Sequence, residues 1–431
     1  MPLLAGRAVM TNVAGFLNAM QITHLSLTNF RNYGRLELAL PAGTTLLFGA
    51  NAQGKTNLLE AIYYLATTRS PYASHDSQLI NWEALQGDDL IVVGRLAAQV
   101  STGRGDLRVE MRLIRENRNG NGGFRREALV NQVKVRLMDL LSNIRVVQFL
   151  PQDVQVLTGP PAGRRRYLDI TLCQTDPIYC QTLATYNKVL EQRNATLRRM
   201  NEEGVGQDVL PIFTEKLVNL GGNIFRRRAA FFLELARQAQ RIHYEELTDG
   251  QEAIKLAYLP RISRDRVDND PAGQYNEVWE ETSDWLVHST TGAIAERFQR
   301  ALQGAMSRDV AQARTSVGPH RDDWSLWVNR RDLASYGSRG QQRTAMLALK
   351  LAEINWMTGE TGETPILLLD EVVAELDDKR RRLLLDYVQR GAQALLTATD
   401  PGMLSDAFLA QSTNMRVERG RVQPATILSE G

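Results

Sequence analysis

"TTLLFGANAQGKTNLLEAIYYLA", residues 44 to 66, joins a short apolar run to a glycine loop and then to a segment with helical spacing. Gly49 to Thr56 satisfies the pattern GxxxxGK[ST], and a strand before it with a helix after it is the context in which that pattern binds phosphate. Backbone N–H groups of such a loop cradle phosphates, Lys55 reaches the β- and γ-phosphates, and Thr56 coordinates magnesium. The stretch predicts the nucleotide end of an α/β fold. A chance glycine loop is the bland alternative, and it leaves the correctly placed strand and helix unexplained.

Working outward, Met20 opens "MQITHLSLTNF", which alternates like a strand, and Leu36, Leu38 and Leu40 alternate after it. From Asp89 to Val135, the segments "LIVVGRLAAQV", "DLRVEMRLIR" and "EALVNQVKV", with a polar turn at Asn117 to Gly123, predict an antiparallel sheet. Beyond Leu168 the texture becomes helical. Asp176-Pro177 reads as an N-cap with a first-turn proline, and Leu183, Tyr186, Leu190 and Leu197 follow at helical spacing. Further helices are predicted from Pro211 to about Leu247 and from about Gln274 to Leu302. Strand character returns in "ARTSVGPHRDDWSLWV", "TPILLLD" and "QALLTAT". The layout is an extension, 1–19; a head lobe, 20–169; a helical insertion, 170–305; and a completion of the head, 306–431. The extension lacks the regions of a signal peptide. A natural start at Met20 is the expectation, testable by N-terminal sequencing.

The 431 residues carry 51 Lys and Arg against 49 Asp and Glu, a formal net charge of +2, so bulk charge neither demands nor excludes nucleic acid. Cys173 and Cys180 form no CxxC and have no histidine cluster beside them, which argues against zinc and suits buried thiols in a reducing compartment. No apolar run approaches the roughly 20 residues of a membrane span. A soluble, cytoplasmic protein is expected.

"ILLLDE", Ile366 to Glu371, reads as a buried parallel strand ending in two carboxylates. Beside a phosphate loop, Asp370 becomes the magnesium carboxylate and Glu371 the general base for water. Solvated acids at a strand end are the bland reading. The guanine-recognition pattern Asn-Lys-x-Asp is missing, since Asn187-Lys188 precedes Val189 and Leu190. The wide gap between Lys55 and Asp370 implies a large insertion within the nucleotide fold.

"SRGQQ", Ser338 to Gln342, stands before a helix that precedes the "ILLLDE" strand and resembles the Ser-x-Gly-Gln signature of the ABC ATPase superfamily. The resemblance implies that Ser338, Gly340 and the helix behind them contact the γ-phosphate held by a second copy of the chain, with Gln341 beside them. By itself the string is a polar helix cap. The order of "NFRNY" (29–33), "GANAQGKTN" (49–57), "PQDVQVLTGPPAGRRRYLD" (151–169), "GPHRDD" (318–323), "GSRGQQRT" (337–344) and "LLLDEVVAELD" (367–377) closely resembles the RecF family of bacterial DNA replication and repair proteins.

That resemblance implies an ABC-type ATPase head, a P-loop NTPase with mixed sheets, carrying a short inserted helical arm. It implies ATP and Mg²⁺ as cofactors, ATP-dependent homodimerisation and slow hydrolysis. DNA is the implied partner, gapped, duplex or single-stranded, together with RecR, RecO and RecA at the nucleoid. Gly49, Ala50, Asn51, Ala52, Gln53, Gly54, Lys55, Thr56 and Asn57 fall at the nucleotide loop. Arg31 matches an arginine that approaches the phosphates, and Asp377 in "AELD" falls at the dimer interface. Catalysis is assigned to Glu371, Lys55, Asp370 and Ser338, and the metal to Thr56 and Asp370. Gln148 and Gln152 both qualify for the Q-loop glutamine, with Gln152 in the family motif. Thr399 stands where transporter cassettes often carry a histidine. A structural DNA-bridging ATPase of the SMC kind is the rival, opposed by the short arm and the absence of sustained heptads.

His320 invites a catalytic label, although a lone histidine more often serves structural hydrogen bonding. Arg164 to Arg166, Arg226 to Arg228 and Lys379 to Arg382 are basic runs suited to DNA phosphates, or else solvated faces and internal braces.

Overall fold

The computed structural model describes residues 20–87, 89–116, 123–262, 278–390 and 393–427. The extension 1–19, most of the Asn/Gly turn and the first residues of the helix expected from Gln274 lie outside them. The strands, in chain order, are β1 (Gln21–Phe30), β2 (Tyr33–Ala39), β3 (Thr44–Phe48), β4 (Ile91–Thr102), β5 (Gly105–Glu116), β6 (Gly123–Val130), β7 (Val133–Val135) and β8 (Val146–Phe149). Then come β9 (Ile254–Leu259), β10 (Asp323–Val328), β11 (Arg331–Asp332), β12 (Ile366–Asp370), β13 (Ala394–Ala398), β14 (Thr413–Glu418) and β15 (Arg421–Pro424).

The nucleotide sheet has the order β15-β14-β3-β13-β12-β8, parallel except for the β14–β15 hairpin. Both of its faces are buried, which is why β12 is apolar at every position up to Asp370. Alternate residues feed two different cores. Leu46, Leu367 and Leu369 pack with the helical region, whereas Leu47, Ile366 and Leu368 pack with the P-loop helix (Lys55–Thr67) and the antiparallel sheet. That second sheet, β2-β1-β4-β5-β6-β7, matches the antiparallel reading of residues 89–135. Gln393 joins the two sheets: its amide accepts from Ile22 N at 2.7 Å and donates to the carbonyls of Ile22 and Pro41.

An arm-root helix, Pro161–Thr175, runs through the boundary drawn at residue 169. The arm itself pairs Pro177–Glu203 with Leu210–Arg241 and ends in a π-turn, Ile242–Leu247. Asp176 caps the first of these by accepting from Tyr179 N at 2.9 Å, as its Asp-Pro pair predicts. Gly221 lets the helix Thr291–Ala311 pack closely, since a Cβ there would lie 2.5 Å from the Phe298 ring.

Two expectations change. The insertion is not wholly helical, because β9 lies within it and pairs with β10 of the C-terminal quarter. "ARTSVGPHRDDWSLWV" is a strand only from Asp323; Gly318, at φ +128°, and Pro319 turn the chain before it. Near Gln274 to Leu302 the described chain holds two helices, Val278–His288 and Thr291–Ala311, with Thr290 capping the second. Among the described residues no helix is long and apolar enough to cross a membrane.

Candidate nucleotide site

The loop 49–54 leaves β3 and enters the P-loop helix through positive-φ glycines that no side chain can replace cheaply. At Gly49, φ +148°, a Cβ would lie 2.3 Å from the Val417 carbonyl oxygen on β14. At Gly54, φ +115°, it would meet Asn32 and the Tyr33 hydroxyl. "NFRNY" thus braces the loop from behind: Tyr33 Oη donates to the Gly54 carbonyl at 3.0 Å, and Asn32 Nδ2 donates to that of Gln53 at 3.0 Å. Gln53 and Asn57, expected at the nucleotide, also serve this brace. Gln53 Oε1 accepts from Arg419 N, and Asn57 Nδ2 donates to Asn32 Oδ1.

Lys55 curls its ammonium back over the loop mouth, donating to the carbonyls of Gly49 at 2.8 Å and Ala50 at 3.1 Å. The Glu371 carboxylate lies 3.5 Å from the same ammonium. Glu371 sits at φ +53° immediately after β12, and its N–H donates to Thr397 Oγ1 at 2.9 Å. Its side chain is 42% exposed while that of Lys55 is 3%, so the acid faces open space and the lysine is the buried partner.

Asp370 gathers three hydroxyls. Thr56 Oγ1 donates to its Oδ1 at 2.9 Å, Thr397 Oγ1 to the same oxygen at 2.8 Å, and Tyr72 Oη to Oδ2 at 2.6 Å. A carboxylate and a threonine hydroxyl within hydrogen-bond reach at the mouth of a phosphate loop are the hard oxygen donors that Mg²⁺ prefers, and it keeps several waters besides. The donor set fits the ion. Burial and the adjacent Asp370 carboxylate push the Tyr72 phenol well above its ordinary range, so it stays protonated and donating.

Arg31, expected at the phosphates, is committed elsewhere. Its guanidinium holds Glu60 in a two-pronged ion pair at 2.6 and 2.8 Å and donates to the Gln78 carbonyl. Glu60, on the P-loop helix, is fully buried and demands a charged partner. Ser70 Oγ completes that carboxylate. Of the two glutamines, Gln148 is buried within β8, whereas Gln152 lies on the turn Pro151–Asp153 beside the Tyr72 hydroxyl.

The signature stands apart. Ser338 caps the helix Arg339–Thr361: its Oγ accepts from Gln341 N at 3.2 Å, and Gln341 Oε1 accepts from Ser338 N at 2.9 Å. Gln341 spends its remaining amide on Glu252 at 2.7 Å. Ser338 and Gly340 are exposed, and a Cβ on Gly340 would meet nothing closer than Ser338 Oγ at 3.9 Å. Among the described residues, no hydrogen bond or ion pair links 338–341 to the P-loop or to Asp370 and Glu371. Asp377 caps the helix Asp378–Gln389 and pairs with Arg380, whose backbone N–H does most to hold the carboxyl below its usual range. Arg343 ties the signature helix to Glu375 at 2.9 Å. Thr399 is exposed just beyond β13.

The basic runs are largely internal braces. Arg164 pairs with Asp323, Arg165 donates to the Asp322 carbonyl, and Arg227 pairs with Asp176. Arg228, 2% exposed, bridges Asp169 at 2.8 Å and Asp322 at 2.9 Å. Lys379, Arg380 and Arg381 pair with Asp249, Asp377 and Asp378. Among the described residues, one side chain of each run has no hydrogen bond or ion pair: Arg166, Arg226 and Arg382, all exposed. His320 is structural. Its Nε2 donates to the Thr315 carbonyl at 3.1 Å, so Nδ1 accepts from Tyr186 Oη at 2.8 Å, and burial pushes its pKa down to about 3.

Sequence reasoning missed Tyr72, Thr397, Glu60 and Ser70, and quoted Asn32 and Tyr33 without giving them a task. Only "NFRNY" carried a local signal.

Residues 21–423 match the family model of the RecF/RecN/SMC N terminal domain. The chain is 39% identical to the DNA replication and repair protein RecF of Chloroflexus aggregans over 411 residues, covering 94% of this chain and 99% of that protein. It is 40% identical to the RecF of Chloroflexus aurantiacus over 412 residues, with the same coverage. Among solved structures it resembles the recombination mediator protein RecF with ATP, in the RecFOR pathway, with a TM-score of 0.78 at 30% identity, covering 96% of this chain and all of that one. An Smc head domain from Pyrococcus furiosus shares the fold at a TM-score of 0.51 and 14% identity.

Proposed function

The chain belongs to the RecF family of DNA replication and repair proteins, and from that premise we propose that it is an ATP-driven DNA clamp made of two copies of itself. The observation that carries the reading is the separation just described. One surface holds a complete phosphate loop with its magnesium carboxylate, while Ser338, Gly340 and the N-terminus of the helix they open lie exposed, with no tie to it among the described residues. A helix N-terminus attracts anions, and the γ-phosphate of a second protomer's ATP supplies one. Two ATP molecules are then each shared between chains, and nucleotide binding becomes dimerisation by linkage.

Within one protomer the parts act in sequence. The β- and γ-phosphates draw Lys55 away from the Gly49 and Ala50 carbonyls and from Glu371. Glu371, released from its ion pair, orients and deprotonates the attacking water. Magnesium, when bound, neutralises phosphate charge. Thr56 and Asp370 hold the oxygens it needs, and Thr397 fixes both Asp370 and the backbone of Glu371. Ser338 of the partner subunit stabilises the γ-phosphate charge as it develops. Hydrolysis is weak, DNA-dependent and coupled to opening of the dimer.

The closed dimer engages gapped, duplex or single-stranded DNA without base readout, and acts with RecR and RecO in loading RecA within the nucleoid. The longer arm helix, Leu210–Arg241, spans only about 48 Å, at 1.5 Å per residue, which favours a compact clamp over an SMC-like bridge.

Light scattering on Glu371→Gln with Mg-ATP, beside Glu371→Gln/Ser338→Arg, tests the reading. A dimer in the first and a monomer in the second support it. Monomers in both, even at high protein concentration, remove it. Anisotropy of labelled gapped DNA with and without ATP then asks whether the dimer is the binding form.

A further inference from the structure

Ser338 and Gln341 close a capping box on the exposed signature, and a residue outside that motif decides how the box is wired. Gln341 Oε1 accepts from Ser338 N at 2.9 Å, and Gln341 N donates to Ser338 Oγ at 3.2 Å. The two ends of the Gln341 amide are alike in size, and turning it over would set its NH₂ against Ser338 N–H, donor against donor. Glu252 holds it the right way round: its Oε1 accepts from Gln341 Nε2 at 2.7 Å, across 89 residues of sequence. An ionised carboxylate only accepts, so the nitrogen end of the amide must face it.

Glu252 is itself fastened to the end of the arm, just beyond the π-turn Ile242–Leu247. Its carbonyl accepts from His243 Nδ1 at 3.1 Å and from Thr248 Oγ1 at 3.2 Å, and its N–H donates to Thr248 Oγ1 at 3.4 Å. His243 is fully buried, so this backbone is anchored from the inside. As a brace for stability the acid is badly chosen. It is half-buried and makes no ion pair among the described residues, so part of its desolvation cost has no cation to offset it. Beside a site that must draw in a γ-phosphate, its charge also has the wrong sign. What it supplies to the signature is an acceptor.

With the box wired this way, Ser338 Oγ accepts from Gln341 N and keeps its own hydrogen for an outside acceptor. We propose that Glu252 is a positioning residue for the signature: it locks the Gln341 amide so that the Ser338 hydroxyl is presented as a donor to the γ-phosphate on a second copy of the chain. This role rests on the clamp reading, and it falls to a residue at the arm's end that lies outside every nucleotide motif.

The test is light scattering with Mg-ATP over a range of protein concentrations, on Glu371→Gln alone and with Glu252→Ala or Glu252→Gln added. Both added substitutions remove the charge, and only the second keeps an oxygen that can accept from Gln341. Glu252→Ala is expected to raise the dimer Kd about tenfold, from about threefold at each of two signatures, the scale of one hydrogen bond. Glu252→Gln is expected to leave it unchanged or lowered. Binding of a fluorescent ATP analogue to protein diluted to the monomer should be the same in all three, since each chain's own P-loop is untouched. A merely structural brace would lower the urea midpoint in Glu252→Ala and leave the dimer Kd in place. Three results overturn the proposal: Glu252→Ala dimerising as tightly as its parent, Glu252→Gln weakened as much as Glu252→Ala, or monomer ATP binding falling in step with dimerisation. Each of these leaves the clamp standing, whereas a Glu371→Gln parent that stays monomeric removes the clamp and this role with it.

Discussion

The Tyr72 hydroxyl donates to Asp370 Oδ2 at 2.6 Å, on the carboxylate whose other oxygen already accepts from Thr56 and Thr397. In the proposed function magnesium and its waters would need that carboxylate, and Tyr72 would then compete with the metal. Tyr72→Phe is expected to lower the magnesium concentration for half-maximal ATP hydrolysis about threefold, the scale of one hydrogen bond. An unchanged or raised requirement would show that the phenol assists the metal instead.

Two glycines make opposite predictions. Gly49→Ala places a methyl 2.3 Å from the Val417 carbonyl at φ +148° and should cost about 2 kcal/mol or more of stability along with ATP binding. Gly340→Ala meets open space and should leave the unfolding midpoint in place while weakening the ATP-dependent dimer. Denaturant titration and light scattering read the two effects separately.

Arg228 is the buried link between the arm and the head, through Asp169 and Asp322. Arg228→Ala leaves two carboxylates unpaired and should cost about 3–5 kcal/mol in urea unfolding. Its neighbour Arg226 is exposed and makes no hydrogen bond or ion pair among the described residues, and Arg226→Ala should change stability by less than about 0.5 kcal/mol.

His320 gives a pH signature. An unfolded histidine titrates near about 6.5, and burial lowers the folded value to about 3. The lower folded pKa means its contribution is complete above pH 6.5 and is lost as pH falls towards 3. His320→Gln should therefore flatten the stability profile between pH 6.5 and 5, by up to about 1.4 kcal/mol per pH unit. His243, also depressed by burial, is present in both proteins and cancels in the difference. Parallel profiles would assign the acid sensitivity to other groups.

The P-loop, the "ILLLDE" strand and the cap at Ser338 were legible in the sequence because each is a local pattern whose geometry is also local. Tyr72 was not, since it reaches Asp370 across 298 residues and nothing in "SPYAS" announces that encounter. The Arg31–Glu60 pair was hidden for a related reason: the arginine's motif is readable, but the buried Glu60 that it holds looks like an ordinary helix residue. The basic runs show what a helical sequence withholds. Three adjacent arginines point to three sides of a helix, and only the fold decides which side is water. β9 escaped notice because its partner, β10, lies beyond two further helices in the chain.

The position of β3 ties the two ends of the chain together in one sheet. Among the described residues this early strand pairs only with β13 and β14, which are synthesised roughly three hundred and fifty residues later. A nascent or truncated chain ending before Ala394 therefore carries the P-loop sequence without the walls that shape it. Such non-local pairing is slow to form and exposes edges until it does. The phosphate loop is therefore walled on the β14 side, where Gly49 meets the Val417 carbonyl, only once nearly the whole chain has been made.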